Sequence, residues 1–215
     1  MNLVFLGPSG SGKDTQAEIL VDAFNYQRVS TGDILRDISF GERDIHRYIK
    51  ESMNQGFLDD ELVFGLLKVY LQNKGIENVI LSGVVRKQSQ ILLLDTILGK
   101  INQKVDMAVY FELSDEEALD RMMGRLYCKL CKANFHRKFN SPEIEGVCDN
   151  CGEDLSKRDD DNEESIKRRL ADFHKDNEAI VAIYQERGVL FKLDASKSIG
   201  DIQKELLEML PKSDL

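Results

Sequence analysis

The sequence predicts an α/β fold in which a parallel sheet carries helices on both faces and one metal-binding segment is inserted. Three features carry that prediction. Short apolar strands alternate with helical patterns, a glycine-rich turn joins the first strand to the first helix, and a cysteine-rich stretch interrupts the alternation. In sheets of this kind ligands gather at the carboxyl ends of the strands.

The elements follow in order. MNLVFL is short, apolar and β-leaning, and it stops at Gly7. GKDTQAEILVDAF then has helical spacing, which predicts Ala17, Leu20, Val21 and Phe24 on the inner side. Further strands are predicted at Val79–Leu81, Met107–Glu112 and Val189–Leu193, each followed by a polar turn and a helical pattern. Ser30–Thr31 marks a helix start, and Ser114 with Glu117 has the spacing of a capping box. From about Leu126 to about Asp161 the rhythm breaks, with the cysteines, Pro142 and short β-like pieces reading as an insertion between two helices.

Composition narrows the class of function. A chain of 215 residues with 42% apolar residues fits one large domain, or one domain with an inserted module. The net charge of −9 argues against a broad nucleic-acid surface, yet leaves room for a small anion held by local cations. No apolar run is long enough to span a membrane, and MNLVFLG lacks the charged leader of a signal peptide. These features predict a cytoplasmic protein that binds neither nucleic acid nor membrane.

The turn GPSGSGKDTQ matches G-x-x-x-x-G-K, between a strand and a helix as that motif requires. Its glycines let backbone N–H groups point inward around a polyphosphate, and the helix N-terminus adds positive potential. Gly10, Ser11, Gly12, Lys13, Asp14 and Thr15 are the predicted cradle, with Lys13 reaching the β- and γ-phosphates.

All four cysteines fall in the insertion. Cys128-x-x-Cys131 and Cys148-x-x-Cys151 have the spacing of two knuckles that offer four thiolates to one structural Zn²⁺. Two disulfides are the competing reading, disfavoured in a reducing compartment. Four cysteines complete the metal site, so His136 is placed at the surface or on the nucleotide side. Phe135 and Phe139 are placed either inside the insertion or against a nucleotide base. So small a segment has little apolar surface of its own, and metal would supply the missing stability.

Taken together, these motifs resemble the adenylate kinase family. GPSGSGKDTQ is similar to its phosphate loop and STGDILR to its monophosphate-binding helix start. GFLDDELV, GVVRKQSQ, RMMGRLYCKLC and RDDDNEESIKRRL follow in the family's order over almost the whole chain. The resemblance implies a three-layer P-loop kinase fold. Residues 1–125 and 162–215 would form the core, 31–60 a helical monophosphate-binding region and 126–161 a zinc-binding lid. It implies Mg-dependent transfer, ATP + AMP = 2 ADP, by a monomer whose lid closes over ATP. It implies Lys13, Arg125, Arg158 and Arg169 as the catalytic set. Arg121, Arg125 and Phe135 would serve ATP from the lid side. Thr31, Gly32, Arg36, Gly83, Arg86 and Gln90 would bind AMP, and Arg158 and Arg169 would bridge both nucleotides.

The chain departs from the family pattern at two places. Ser82 stands where the family has a magnesium-organising aspartate, and Val84–Val85 replace Phe-Pro before Arg86. A hydroxyl is a weaker Mg²⁺ ligand than a carboxylate, and loss of proline frees the backbone next to Arg86. Two other readings therefore stay open, a nucleoside monophosphate kinase with another acceptor and a weakly active nucleotide sensor. Asp14 also has two readings. It is either a carboxylate relocated from position 82 to face the metal, or a helix-start residue that complements the dipole.

Overall fold

Strand β1 (Asn2–Leu6) shows why both faces of the sheet are covered. Its side chains alternate between two apolar layers, Leu3 and Phe5 on one side and Val4 and Leu6 on the other. The computed structural model describes residues 1–39, 44–55, 58–74, 78–131, 133–158 and 161–211.

Five parallel strands lie in the order β2 (Gln27–Val29), β3 (Val79–Ser82), β1, β4 (Met107–Glu112) and β8 (Leu190–Asp194). Helices α1 (Lys13–Ala23) and α8 (Ile199–Met209) cover one face, where Ala17, Leu20, Ile202 and Leu206 meet Phe5, Ile80, Val109 and Leu193. Helices α4 (Asp60–Lys74), α5 (Gln88–Gly99) and α7 (Glu163–Glu186) cover the other through Leu67, Leu71, Leu94, Leu98 and Tyr184. Helices α2 (Thr31–Ser39), α3 (Asp44–Gln55) and α6 (Asp115–Met123) complete the core unit. No described helix is long and apolar enough to cross a membrane.

The predicted strands occur with small shifts at their ends, and β2 is added. It is a three-residue edge strand, mostly polar, and makes no apolar run to be seen in sequence. On α1 the buried residues are Gln16, Ala17 and Leu20, whereas Val21 is exposed. The inward stripe is one residue off the predicted one, and Gln16 sits in it by donating to the Ile199 carbonyl at 2.9 Å. At α6 the Ser114 Oγ accepts from the Glu117 N–H at 3.3 Å, as predicted for a cap.

The insertion forms its own sheet, with β5 (Arg125–Cys128) between β6 (Asn134–His136) and β7 (Leu155–Ser156), all antiparallel. Its core is small: Cys128, Phe135 and Cys148, flanked by Leu126, Ala133 and Leu155.

Candidate active site

The turn after β1 runs at the carboxyl ends of the strands. Gly7, Gly10 and Gly12 all have positive φ, and a Cβ on Gly7 would lie 2.6 Å from the Phe111 carbonyl oxygen, so the loop requires glycine there. Lys13 opens α1 and folds back over the loop. Its Nζ donates to the carbonyls of Gly7 and Pro8, both at 2.7 Å, and to Ser11 Oγ at 3.1 Å. Burial pulls its pKa down to about 8, partly opposed by Asp14 and reinforced by Arg86 and Arg125. Those couplings put two predicted phosphate-binding arginines within electrostatic reach of the loop lysine.

Asp14 follows Lys13 on α1, and 43% of its side-chain surface is accessible. Its Oδ1 accepts from Ser82 Oγ at 2.8 Å and from Arg28 at 3.2 Å. Burial works against its charge, but Arg28, Lys13 and the Ser82 bond outweigh burial and hold the carboxyl below the usual range. Arg28 also pairs with Asp33 at 2.8 Å and lies 3.9 Å from Glu18. Glu18 is raised to about 7, mainly by burial and against the pull of Arg28.

On the acceptor side, the Gly83 carbonyl accepts from Thr31 Oγ1 at 3.3 Å and from Arg86 Nε at 3.2 Å. The Gln90 side chain is taken up at both ends. Its Oε1 accepts from the backbone N–H groups of Arg86 and Lys87, and its Nε2 donates to Asp60 at 2.8 Å. It therefore caps α5 and fixes the arginine-bearing turn. Val84 and Val85 are buried in the core, which anchors this turn where proline is missing. The side chain of Arg36 and residues Gly56 and Phe57 lie outside the described residues.

At the base of the insertion Asp161 binds two of the predicted arginines. It accepts from Arg125 Nε and Nη2 at 2.8 and 2.6 Å, and from Arg169 at 3.0 Å. Its side chain is only 1% exposed. Burial opposes its ionisation, and the two guanidiniums more than compensate, so its carboxyl is held low. Arg158 donates to Asn134 at 2.9 Å and stacks its guanidinium 4.5 Å over the Tyr127 ring. Arg121 donates to the carbonyls of Ala195 and Ser196 and lies 5.4 Å from the Phe139 ring.

The two phenylalanines of the insertion divide. Phe135 packs beside Cys128 and Cys148 and is 8% exposed, whereas Phe139 is 54% exposed and stacks on His136. The Phe135 ring fills the lid interior, one of its two expected placements, and Phe139 is the ring that faces outward beside Arg121. His136 accepts at Nδ1 from the N–H groups of Lys138 and Phe139, and its Nε2 would meet a Cβ on Gly124 at 2.4 Å.

The sulfurs of Cys128, Cys131, Cys148 and Cys151 all lie within 4.8 Å of one another, and among the described residues no histidine joins them. The Cys128–Cys151 and Cys131–Cys148 pairs are 3.5 and 3.4 Å apart, and all four cysteines are free. Four soft donors converging at these distances suit tetrahedral zinc, whose sulfurs at ~2.3 Å from the metal would lie about 3.8 Å apart.

Sequence reading missed Asp161, Arg28 and Gly124. Asp161 stood within RDDDNEESIKRRL with nothing local to separate it from its two acidic neighbours. Arg28 lay on the unrecognised β2, and the packing of Gly124 under His136 is visible only in space.

A half-buried lysine in a glycine-rich strand-to-helix loop, with arginines converging from the insertion and from the turn after β3, is built to gather polyphosphate oxygens. The fold and site are those of a P-loop kinase. The sequence profile of the adenylate kinase family matches residues 5–189, and the chain belongs to that family. Among its relatives are adenylate kinases of Caldicellulosiruptor bescii, 39% identical over 98% of this chain and 99% of the relative, and of Methanosarcina barkeri, 38% identical over 99% of each. The adenylate kinase of Geobacter sulfurreducens is 35% identical over 98% of each chain.

Proposed function

We propose that this chain catalyses ATP + AMP ⇌ 2 ADP with the lid closing over ATP. The observation that carries the reading is the half-buried Lys13 folded over the glycine loop, within a chain that matches the adenylate kinase family from residue 5 to residue 189.

In this reading Gly10, Ser11, Gly12, Lys13 and Thr15 hold the β- and γ-phosphates through backbone N–H groups and the ammonium. Lys13 leaves the Gly7 and Pro8 carbonyls for phosphate oxygens, so nucleotide replaces an internal contact. Arg121 and Phe139 take the ATP base side. Thr31, Gly32, Arg36, Gly83 and Arg86 hold AMP, and Gln90 supports Arg86 through its backbone bond. Arg125, Arg158 and Arg169 approach the transferring group, where their planar forks offset charge on its equatorial oxygens. Asp14, oriented by the Ser82 hydroxyl, would hold a magnesium ion, which would supply charge neutralisation at the phosphates. Lid closure excludes water, so the phosphoryl group passes to AMP and not to solvent. Zinc held by Cys128, Cys131, Cys148 and Cys151 would stiffen the lid, and four thiolate ligands would give it a structural role and not a catalytic one. The reading includes a monomer in the cytoplasm, to be checked by sedimentation of the purified chain and by localisation in cells.

The test is ADP formation from MgATP with AMP, GMP, CMP and UMP in turn. Activity with AMP at least tenfold above the others is the expected result. Comparable or better use of another monophosphate reassigns the acceptor, and tight nucleotide binding without turnover supports a sensor.

A further inference from the structure

We infer that Asp14 and Ser82 form the divalent-cation side of the phosphate loop, with carboxylate and hydroxyl exchanged between loop and strand; this rests on the kinase reading above. In phosphate-loop enzymes the nucleotide's Mg²⁺ is held by a Ser or Thr hydroxyl directly after the loop lysine and by an aspartate from elsewhere in the fold. In this chain the residue after Lys13 is a carboxylate, Asp14. The hydroxyl comes from Ser82, which ends β3 beside Phe5 of β1. The same two donor types are present with their places swapped, and they are in contact at 2.8 Å.

The local geometry leaves a ligand atom available. Ser82 and Arg28 both bind Oδ1 of Asp14, and among the described residues no hydrogen bond reaches Oδ2. Oδ1 carries both bonds, and 43% of the Asp14 side-chain surface remains accessible. A carboxylate fixed by one oxygen keeps a defined direction for the second, which is how outer partners orient a metal ligand. Mg²⁺ takes one or two carboxylates and retains waters, so a single well-held Asp with a hydroxyl beside it is a sufficient protein contribution.

Charge points the same way. Arg28 does not leave a bare positive charge at the site, because Asp33 at 2.8 Å and Glu18 at 3.9 Å share its guanidinium with Asp14. One guanidinium faces two carboxylates and a third that titrates near 7. A carboxylate beside bound polyphosphate is repelled by it unless a cation lies between them. A carboxylate serving only the α1 dipole needs no contact with the end of β3.

The experiment uses the full chain, ADP, and Mn²⁺ as the spectroscopic substitute for Mg²⁺. Asp14→Asn keeps the side-chain shape and removes the charge. Titration followed by electron paramagnetic resonance is expected to show about tenfold weaker Mn²⁺ binding to the enzyme–ADP complex. Affinity for metal-free ADP should be unchanged or higher. Asp14→Gly combined with Ser82→Asp returns the carboxylate to the strand and should recover most of the Mn²⁺ affinity. Ser82→Ala, which loosens Asp14 without removing its charge, should weaken Mn²⁺ by a smaller factor and keeps the test open if the Asp14 variants do not fold. Unchanged Mn²⁺ affinity in Asp14→Asn, or in Ser82→Ala where that variant stands alone, overturns the assignment. Equal loss of metal-free ADP binding also overturns it, since Asp14 would then only support the loop. If the unaltered chain binds no ADP at all, the kinase reading itself has failed, a result distinct from the others.

Discussion

The core sheet and the lid are stabilised by different physics. The core buries two continuous apolar layers, and Leu3, Val4, Ile80, Leu81 and Leu94 have no measurable exposure. Each such side chain contributes roughly 1.5–3 kcal/mol by leaving water. The lid buries Phe135 among cysteines while Leu130, Phe139 and Ile144 remain more than half exposed. Its three strands have too little apolar area to hold together alone, and the four sulfurs stand where the missing apolar core would be. A core held by area resists local change, whereas a lid held by one ion can be stiff inside yet move as a unit.

The strongest way to break this contrast is to take the metal away. Cys148 is buried at 1% exposure, and Cys148→Ala, or a strong chelator, should unfold the lid selectively. Structural zinc is worth ~10 kcal/mol or more in small domains, far beyond what the lid's apolar contacts offer. Phosphoryl transfer should fall at least a hundredfold. Hydrogen exchange should rise across residues 125–156 and stay slow in β1, β3 and β4. Metal analysis of the unaltered protein should give about one zinc per chain. Uniform loss of protection across both sheets would remove the distinction between them.

Asp161 tests the joint between the two regions. Arg125 begins β5 and Asp161 precedes α7, so their pair ties together the chain entering and leaving the insertion. Removing one partner of a buried pair costs about 3–5 kcal/mol, and the 18% and 27% exposure of Arg125 and Arg169 puts Asp161→Asn at the lower end. Turnover should drop together with stability, because two arginines of the proposed transfer site lose their anchor. The pH dependence has a definite sign. Asp161 is held below its ordinary value of 3.8, so its contribution is complete above that pH and lost as pH falls below it. Acid melts should therefore differ between Asp161→Asn and the unaltered chain near neutrality and converge at low pH.

The core half of the comparison is probed by Leu81→Ala in β3. A cavity at this fully buried position should lower global stability by about 2–5 kcal/mol. Zinc content should not change, because no lid contact is touched.

These contrasts were unequally visible in the sequence. The phosphate loop and the paired cysteines are local patterns whose residue spacing is itself the chemistry, and the sheet strands are apolar runs. Asp14 and Ser82 were each legible as single residues, but their contact across 68 positions exists only because β3 lies beside β1. Arg28 stayed hidden because QRV on an edge strand has no apolar periodicity. Gln90 had the right chemistry for a base contact, and only the fold shows its amide committed to Asp60 and the α5 cap. Asp161 is one of three consecutive aspartates, and its importance comes from Arg125, 36 residues away.

The smallest expected effect concerns the proton on Lys13. The free enzyme holds this ammonium against two carbonyls, and its pKa falls from 10.5 to about 8, with loss of hydration the main cause. Arg86 and Arg125 lower it further, while Asp14 raises it. Nucleotide phosphate reverses the balance by bringing anionic oxygens to the same nitrogen, so the bound lysine is fully charged. At pH 7 both states carry the proton and binding exchanges almost none. At pH 8.5 much of the free enzyme has lost it, and ADP binding should take up between about half and one proton. Calorimetry of ADP binding in buffers of different ionisation enthalpy measures this number directly. Asp14→Asn removes the one interaction that supports the charge, so the onset of proton uptake should move to lower pH. No uptake at pH 8.5 would mean that Lys13 keeps its proton in the free loop, and that the phosphate cradle is more hydrated than its internal hydrogen bonds indicate.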